Sequence, residues 1–166
     1  MAGVAGETAR ELAVGVLAAL QAAGQTVAVA ESLTGGLVAA ALTDIPGSSA
    51  AFRGGVVSYA TELKVRLLGV DAAVLRAHGP VYGQVAAEMA AGVRDRLGAT
   101  WGAATTGVAG PDAADGHPPG TVHISVSGEG ETVVSTLALA GDRDTVRRLT
   151  VERTLGLLLA RLREDS

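Results

Sequence analysis

One Trp, two Tyr and one Phe are all the aromatic side chains in a chain of 166 residues that is 48% hydrophobic. Its core must therefore be assembled from Ala, Val and Leu, and side chains this small fill space only when backbones approach closely. The hydrophobic content suits one ordinary soluble domain near the usual size, and two would be cramped. The same scarcity removes the stacking platforms that hold single-stranded nucleic acid. A formal charge of −4, from 13 Lys+Arg against 17 Asp+Glu, also argues against a nucleic-acid partner. With no cysteine there is neither a disulfide framework nor a thiolate metal ligand, so cytoplasm is the expected compartment. The N-terminus carries Glu7, Arg10 and Glu11 and shows no basic start before an uncharged apolar run, so no leader peptide is expected. Apolar stretches such as Leu12 to Ala23 are too short to cross a bilayer.

Periodicity organises the chain into alternating elements. Apolar Leu12, Val16, Leu17 and Leu20 share one helical face, which predicts a helix from Glu7 to about Ala23. Thr26 to Ala30 reads as a strand that enters a glycine turn, Thr34-Gly35-Gly36, and then a helical segment to Thr43. A second strand is expected at Gly54 to Ala60, with helices at Thr61 to Leu68, Ala72 to Ala77 and Gln84 to Leu97. A small-residue strand from about Thr100 leads into Thr106-Gly107, and Asp112 to Pro119 reads as a surface excursion. Strands at Thr121 to Ser127 and Glu131 to Leu139 flank Gly128-Glu129-Gly130, a hairpin signal. A last helix starts near Asp142 or Asp144, both good caps. The sum is an α/β fold, a single layered domain over 1–166 with a mixed sheet, since a tight hairpin demands an antiparallel pair.

In open α/β sheets, ligands bind beyond the carboxyl ends of strands. Three segments qualify: Glu31 to Gly36, Ser58 to Lys64 and Thr105 to Pro111. Ser32 is a candidate nucleophile at the mouth of a helix, where amides and the helix dipole would stabilise negative charge. Ser32 or Thr34 could equally serve as an ordinary helix cap. Glu31 reads either as a site carboxylate or as the buried partner of a cation. His78, His117 and His123 form no Ser-His-Asp pattern and read as structural or solvated. Lys64 is the chain's only lysine, and arginine cannot lose its proton, so Lys64 is the base of any serine–lysine pair. An ordinary lysine costs roughly 4 to 5 kcal/mol to deprotonate at neutral pH, so burial or nearby positive charge must lower its pKa.

Tyr59, five residues before Lys64, could pass a proton between the two side chains or simply pack. Thr106 and Gly107 offer amides for an oxyanion. Arg143 could grip a phosphate or carboxylate bidentately, whereas Arg147 and Arg148 are expected in solvent. Glu31, Thr34, Gly35, Gly36 and Arg143 are the expected substrate contacts. No metal or cofactor is called for.

Taken together, Ala30-Glu31-Ser32-Leu33-Thr34-Gly35-Gly36, Ile45-Pro46-Gly47-Ser48-Ser49, Val57-Ser58-Tyr59-Ala60, Thr106 to Asp112 and Gly141-Asp142-Arg143 resemble the CinA C-terminal domain family in order and spacing. The resemblance covers almost the whole chain. It implies a nicotinamide-nucleotide amidase, which turns nicotinamide mononucleotide into nicotinic acid mononucleotide and ammonia. Carried onto matching positions, it implies Ser32 as nucleophile, Lys64 as base, Tyr59 as an assisting hydroxyl, and Thr106 with Gly107 near the oxyanion. A small-molecule nucleotide substrate and a homo-oligomer are likewise implied. The alternatives are a non-catalytic nucleotide-binding or partner module and an amidase for another small carboxamide. The chain departs from the family pattern at Tyr82, expected on a wall of the pocket, at Thr61, and at His117-Pro118-Pro119, where the usual lysine is absent.

Overall fold

The computed structural model of the protein describes residues 6–166. The N-terminal reading rests partly on residues 1–5, which lie outside the described residues. Five strands, β1 (Val27–Glu31), β2 (Phe52–Val57), β3 (Trp101–Gly107), β4 (Thr121–Ser127) and β5 (Thr132–Ala138), form one sheet in the order β2-β1-β3-β4-β5. β1 runs parallel to both β2 and β3, while β4 runs antiparallel to both of its neighbours, β3 and β5. The sheet is therefore mixed, as the hairpin signal required. The helices are α1 (Ala9–Ala23), α2 (Leu37–Thr43), α3 (Thr61–Leu68), α4 (Ala72–His78), α5 (Gly83–Leu97) and α6 (Arg143–Glu164).

Alternation along the central strands feeds two apolar layers. Val27 and Val29 of β1 join Trp101 and Ala103 of β3 beneath α1 and α6. Ala28, Ala30 and Ala104 face the opposite way, against Leu68 of α3 and Val85, Met89, Ala90 and Val93 of α5. These side chains are small, so backbones meet directly. A Cβ at Gly92 of α5 would stand 1.9 Å from the carbonyl oxygen of Leu68 at the end of α3. Gly92→Ala is expected to destabilise the fold by about 1 to 2 kcal/mol, a steric cost only partly offset by better helix propensity. That corresponds to a melting temperature lower by roughly 2 to 8 °C, read by thermal unfolding.

Most element boundaries agree with the periodicity, and α3 and β4 do so at both ends. β2 is the departure, lying at Phe52–Val57 instead of Gly54 to Ala60. Pairing decides it: Val27 lies opposite Phe52 and Glu31 opposite Val57, and past that point β1 has no residue left to pair. Among the described residues no helix is long and apolar enough to cross a membrane.

Candidate active site

The order β2-β1-β3 makes the chain leave β1 toward one neighbour and return to the other side, so a crevice opens beyond the carboxyl ends of β1 and β3. β3 overshoots its parallel partner there: pairing with β1 stops at Ala30 and Ala104, while β3 runs on to Gly107. A cleft of about 240 Å³ occupies this position. Ser32, from the end of β1, lines it with Tyr59 and Lys64, from the end of β2 and from α3. Thr106, Gly107 and Arg143 complete the far side.

Lys64 sits one helical turn before Leu68, so the face of α3 that enters the core carries the lysine inward with the leucine. Its side chain is 1% exposed. Its Nζ donates to Ser32 Oγ at 3.1 Å and to the Ser58 carbonyl at 2.5 Å. Burial pushes its pKa down from 10.5 to about 8, against an opposing pull from the Asp115 and Glu62 carboxylates. The energetic demand posed by the sequence is thus largely met by desolvation.

Glu31 does something that neither reading of the sequence anticipated. It is buried, and its carboxylate accepts from the amides of Val38 at 2.8 Å and Ala39 at 3.1 Å, holding the first turn of α2. Among the described residues it forms no ion pair. Those amides are consequently unavailable to charge developing at Ser32, and neither Ser32 nor Thr34 caps the helix. The Thr34 hydroxyl instead meets Thr105 Oγ1 at 2.8 Å, and Thr105 Oγ1 also accepts from the Ser32 amide at 3.3 Å. Glu31, Thr34, Gly35 and Gly36 therefore stand outside the cleft lining as its scaffold, with the two glycines in left-handed backbone that turns the chain into α2.

Tyr59 reaches the rim, is 64% exposed, and makes no hydrogen bond to Ser32 or Lys64 among the described residues, so neither the relay nor a packed role is formed. Thr106 spends its hydroxyl on the Pro80 carbonyl at 2.7 Å, leaving only backbone for an oxyanion. Beyond β3, the amides of Ala109 and Gly110, which border the cleft, donate to no protein group among the described residues. Arg143 Nη1 donates to the Gly110 carbonyl at 2.7 Å while its exposed guanidinium lines the cleft. Arg147 corrects the expectation of solvent: Nε donates to the Leu33 carbonyl at 3.0 Å and Nη2 to that of Thr34 at 3.4 Å, bracing the turn behind Ser32. Arg148 does face solvent, in an ion pair with Glu152.

Tyr82 is likewise displaced from the expected wall. Its ring stacks on His78 with centroids 4.0 Å apart, and Pro80 and Val81 line the cleft in its place. The structure adds Asp112 and Asp115 to the lining, from the surface excursion at Asp112 to Pro119. The signal was present as Asp115-Gly116. Ala114 and His117 exchange two backbone hydrogen bonds around these two residues, and both have positive φ, 52° and 79°. That is a two-residue type I′ hairpin turn, for which Asp-Gly is a favoured sequence.

Comparisons with known proteins identify the family and match the fold. A family model described as the CinA C-terminal domain matches residues 3–162. The chain belongs to the CinA family. CinA-like proteins of Frankia casuarinae and Parasynechococcus marenigrum are 54% and 48% identical over 95% and 97% of this chain. The CinA domain described here spans only 36% and 39% of their lengths. Among solved structures, a CinA superfamily protein from Klebsiella pneumoniae superposes with a TM-score of 0.92 at 33% identity, covering 95% of this chain and 99% of that one. A competence or damage-inducible protein from Enterobacter asburiae gives 0.91 at 34%, with 94% and 99% covered.

Chemically, this CinA domain offers an alcohol beside a buried amine that loses its charge near pH 8 instead of near 10.5. A neutral Lys64 reverses the contact, accepting the Ser32 proton instead of donating to the oxygen. A serine hydroxyl in such a contact can be activated for nucleophilic attack.

Proposed function

We propose that the cleft hydrolyses the carboxamide of nicotinamide mononucleotide, yielding nicotinic acid mononucleotide and ammonia. The observation that carries the reading is the 3.1 Å contact between Ser32 Oγ and the Nζ of a lysine that is 1% exposed. Neutral Lys64 takes the Ser32 proton as Oγ bonds to the amide carbon. The oxyanion lies against the backbone of Thr106, Gly107 or the residues that follow. Lys64 then returns the proton to nitrogen as the carbon–nitrogen bond breaks, and ammonia leaves. Water, deprotonated by the same amine, cleaves the Ser32 ester and restores the alcohol. One group of intermediate pKa serves as base and then acid, because amide nitrogen departs only when protonated.

Arg143 holds the nucleotide phosphate. The first turns of α2 and α6 already carry protein carboxylates, Glu31 and the cap Asp142, so neither receives a second anion. Lys64 and Arg143 are the cations of the cleft lining.

The test is substrate-dependent ammonia release by purified protein, with nicotinamide mononucleotide compared with its riboside, free nicotinamide and other small carboxamides. Release that needs the phosphate supports the reading. Faster turnover of another carboxamide would reassign the substrate, and nucleotide binding without release would make this a binding module. Because the base acts when neutral, kcat/KM is expected to rise almost tenfold per unit at low pH and to level off above pH 8, reflecting the value of about 8 for Lys64. At pH 7 about a tenth of the enzyme carries the neutral amine. A flat profile from pH 6.5 to 9 would remove Lys64 from the rate.

A further inference from the structure

The hairpin turn at Asp115-Gly116 has a feature that the amidase mechanism leaves unused. Asp115 lines the cleft, and neither it nor Asp112 forms a hydrogen bond or ion pair with another side chain among the described residues. The reciprocal bonds between Ala114 and His117, at 3.1 and 2.9 Å, fix the tip that carries Asp115. A carboxylate held this way facing a lysine base is costly to the proposed chemistry, since it favours the protonated amine. Such a charge makes sense where the ligand supplies the cation.

We infer that Asp115 is a specificity-determining residue, which makes the cleft select a carboxamide carried on a positively charged ring. The inference rests on the amidase reading and refines it. The pyridinium ring of nicotinamide mononucleotide bears a full positive charge, while its phosphate is anionic. Arg143 and Asp115 both line the cleft and carry charges complementary to those two ligand groups. A bound cation offsets the field of Asp115 and adds its own, so it also favours the neutral amine of Lys64. The charges that act on Lys64 are Asp115 from the loop and Glu62 from its own helix, and Asp112 of the loop and Arg143 of α6 line the same cleft. Substrate charge and base activation thus work together.

Asp115→Asn tests this directly, because Asn suits the same left-handed position and keeps the turn. Dissociation constants are measured on the Ser32→Ala background, with and without Asp115→Asn, for nicotinamide mononucleotide and for its dihydro form. The two ligands share the phosphate, ribose and carboxamide and differ in ring charge. The expected result is binding of the cationic nucleotide weakened about fivefold by Asp115→Asn, with the neutral nucleotide changed less than about twofold. Equal changes for both ligands, or none for either, would overturn the role of Asp115. Charge-selective binding that is lost in Asp115→Asn, in a protein whose wild type releases no ammonia, would keep the selectivity and discard the amidase reading. Absence of binding by both nucleotides would overturn both.

Discussion

Lys64→Met is expected to lower ammonia release from nicotinamide mononucleotide by at least about a thousandfold while leaving the protein no less stable at pH 7. The two effects have one cause. A lysine whose pKa is pushed from 10.5 to about 8 resists protonation in the folded state, so the unfolded chain binds more protons between these values. Wild-type stability therefore rises with pH across that window, by on the order of 3 kcal/mol, and the burial cost is fully present below pH 8. Methionine removes the cost and keeps the volume. It also forfeits the hydrogen bonds to Ser32 and Ser58, worth about 1 kcal/mol each, so the net gain at pH 7 is about 1 kcal/mol. The difference should shrink as pH rises past 8 and reverse near pH 9, which thermal unfolding at several pH values will read. Lys64→Arg should be just as inactive, since guanidinium keeps its proton. Retained turnover in either variant would end the assignment of Lys64 as base.

Ser32→Ala is expected to abolish turnover, by a thousandfold or more in kcat, with unfolding stability within about 1 kcal/mol of wild type. The serine is 9% exposed, and its hydroxyl contacts Lys64 alone among the described groups, so little of the fold depends on it. Its environment is held from behind, by Thr105 on its amide and Arg147 on the carbonyls that follow. Mass spectrometry of wild type quenched during turnover should find the nicotinoyl nucleotide adduct on Ser32, absent from the variant. Full activity in Ser32→Ala would assign the nucleophile elsewhere.

These two variants probe a pairing that was only half legible beforehand. A single lysine in the chain meant that no other residue could be the amine of a serine–lysine pair. Whether that amine is buried, and whether it reaches a serine 32 residues away, are matters of strand order. β2 lies beside β1, so the loop after β2 and the helix that follows bring Lys64 alongside the turn after β1. The role of the Glu31 carboxylate is hidden from the sequence for a related reason. Its acceptors' partners, Val38 and Ala39, follow it by seven and eight residues, beyond the three-residue spacing by which local helix caps are recognised. The turn signal at Asp115-Gly116 is local, but the surrounding Asp, Gly and Pro mark only a surface excursion, and nothing in that pattern says which cleft the excursion borders.

Local patterns in the sequence determined the α/β class, the hairpin, the limits of α3 and β4, and a core with almost no aromatic side chains. Each depends on periods of two or 3.6 residues, or on side-chain volume, and both act over short stretches. Tertiary structure alone decided the limits of β2, the inward turn of Lys64, the bracing by Arg147 and the reach of Asp115 into the cleft. Those depend on which backbones lie side by side, and desolvation and Coulomb interactions follow distance in space, whatever the separation along the chain.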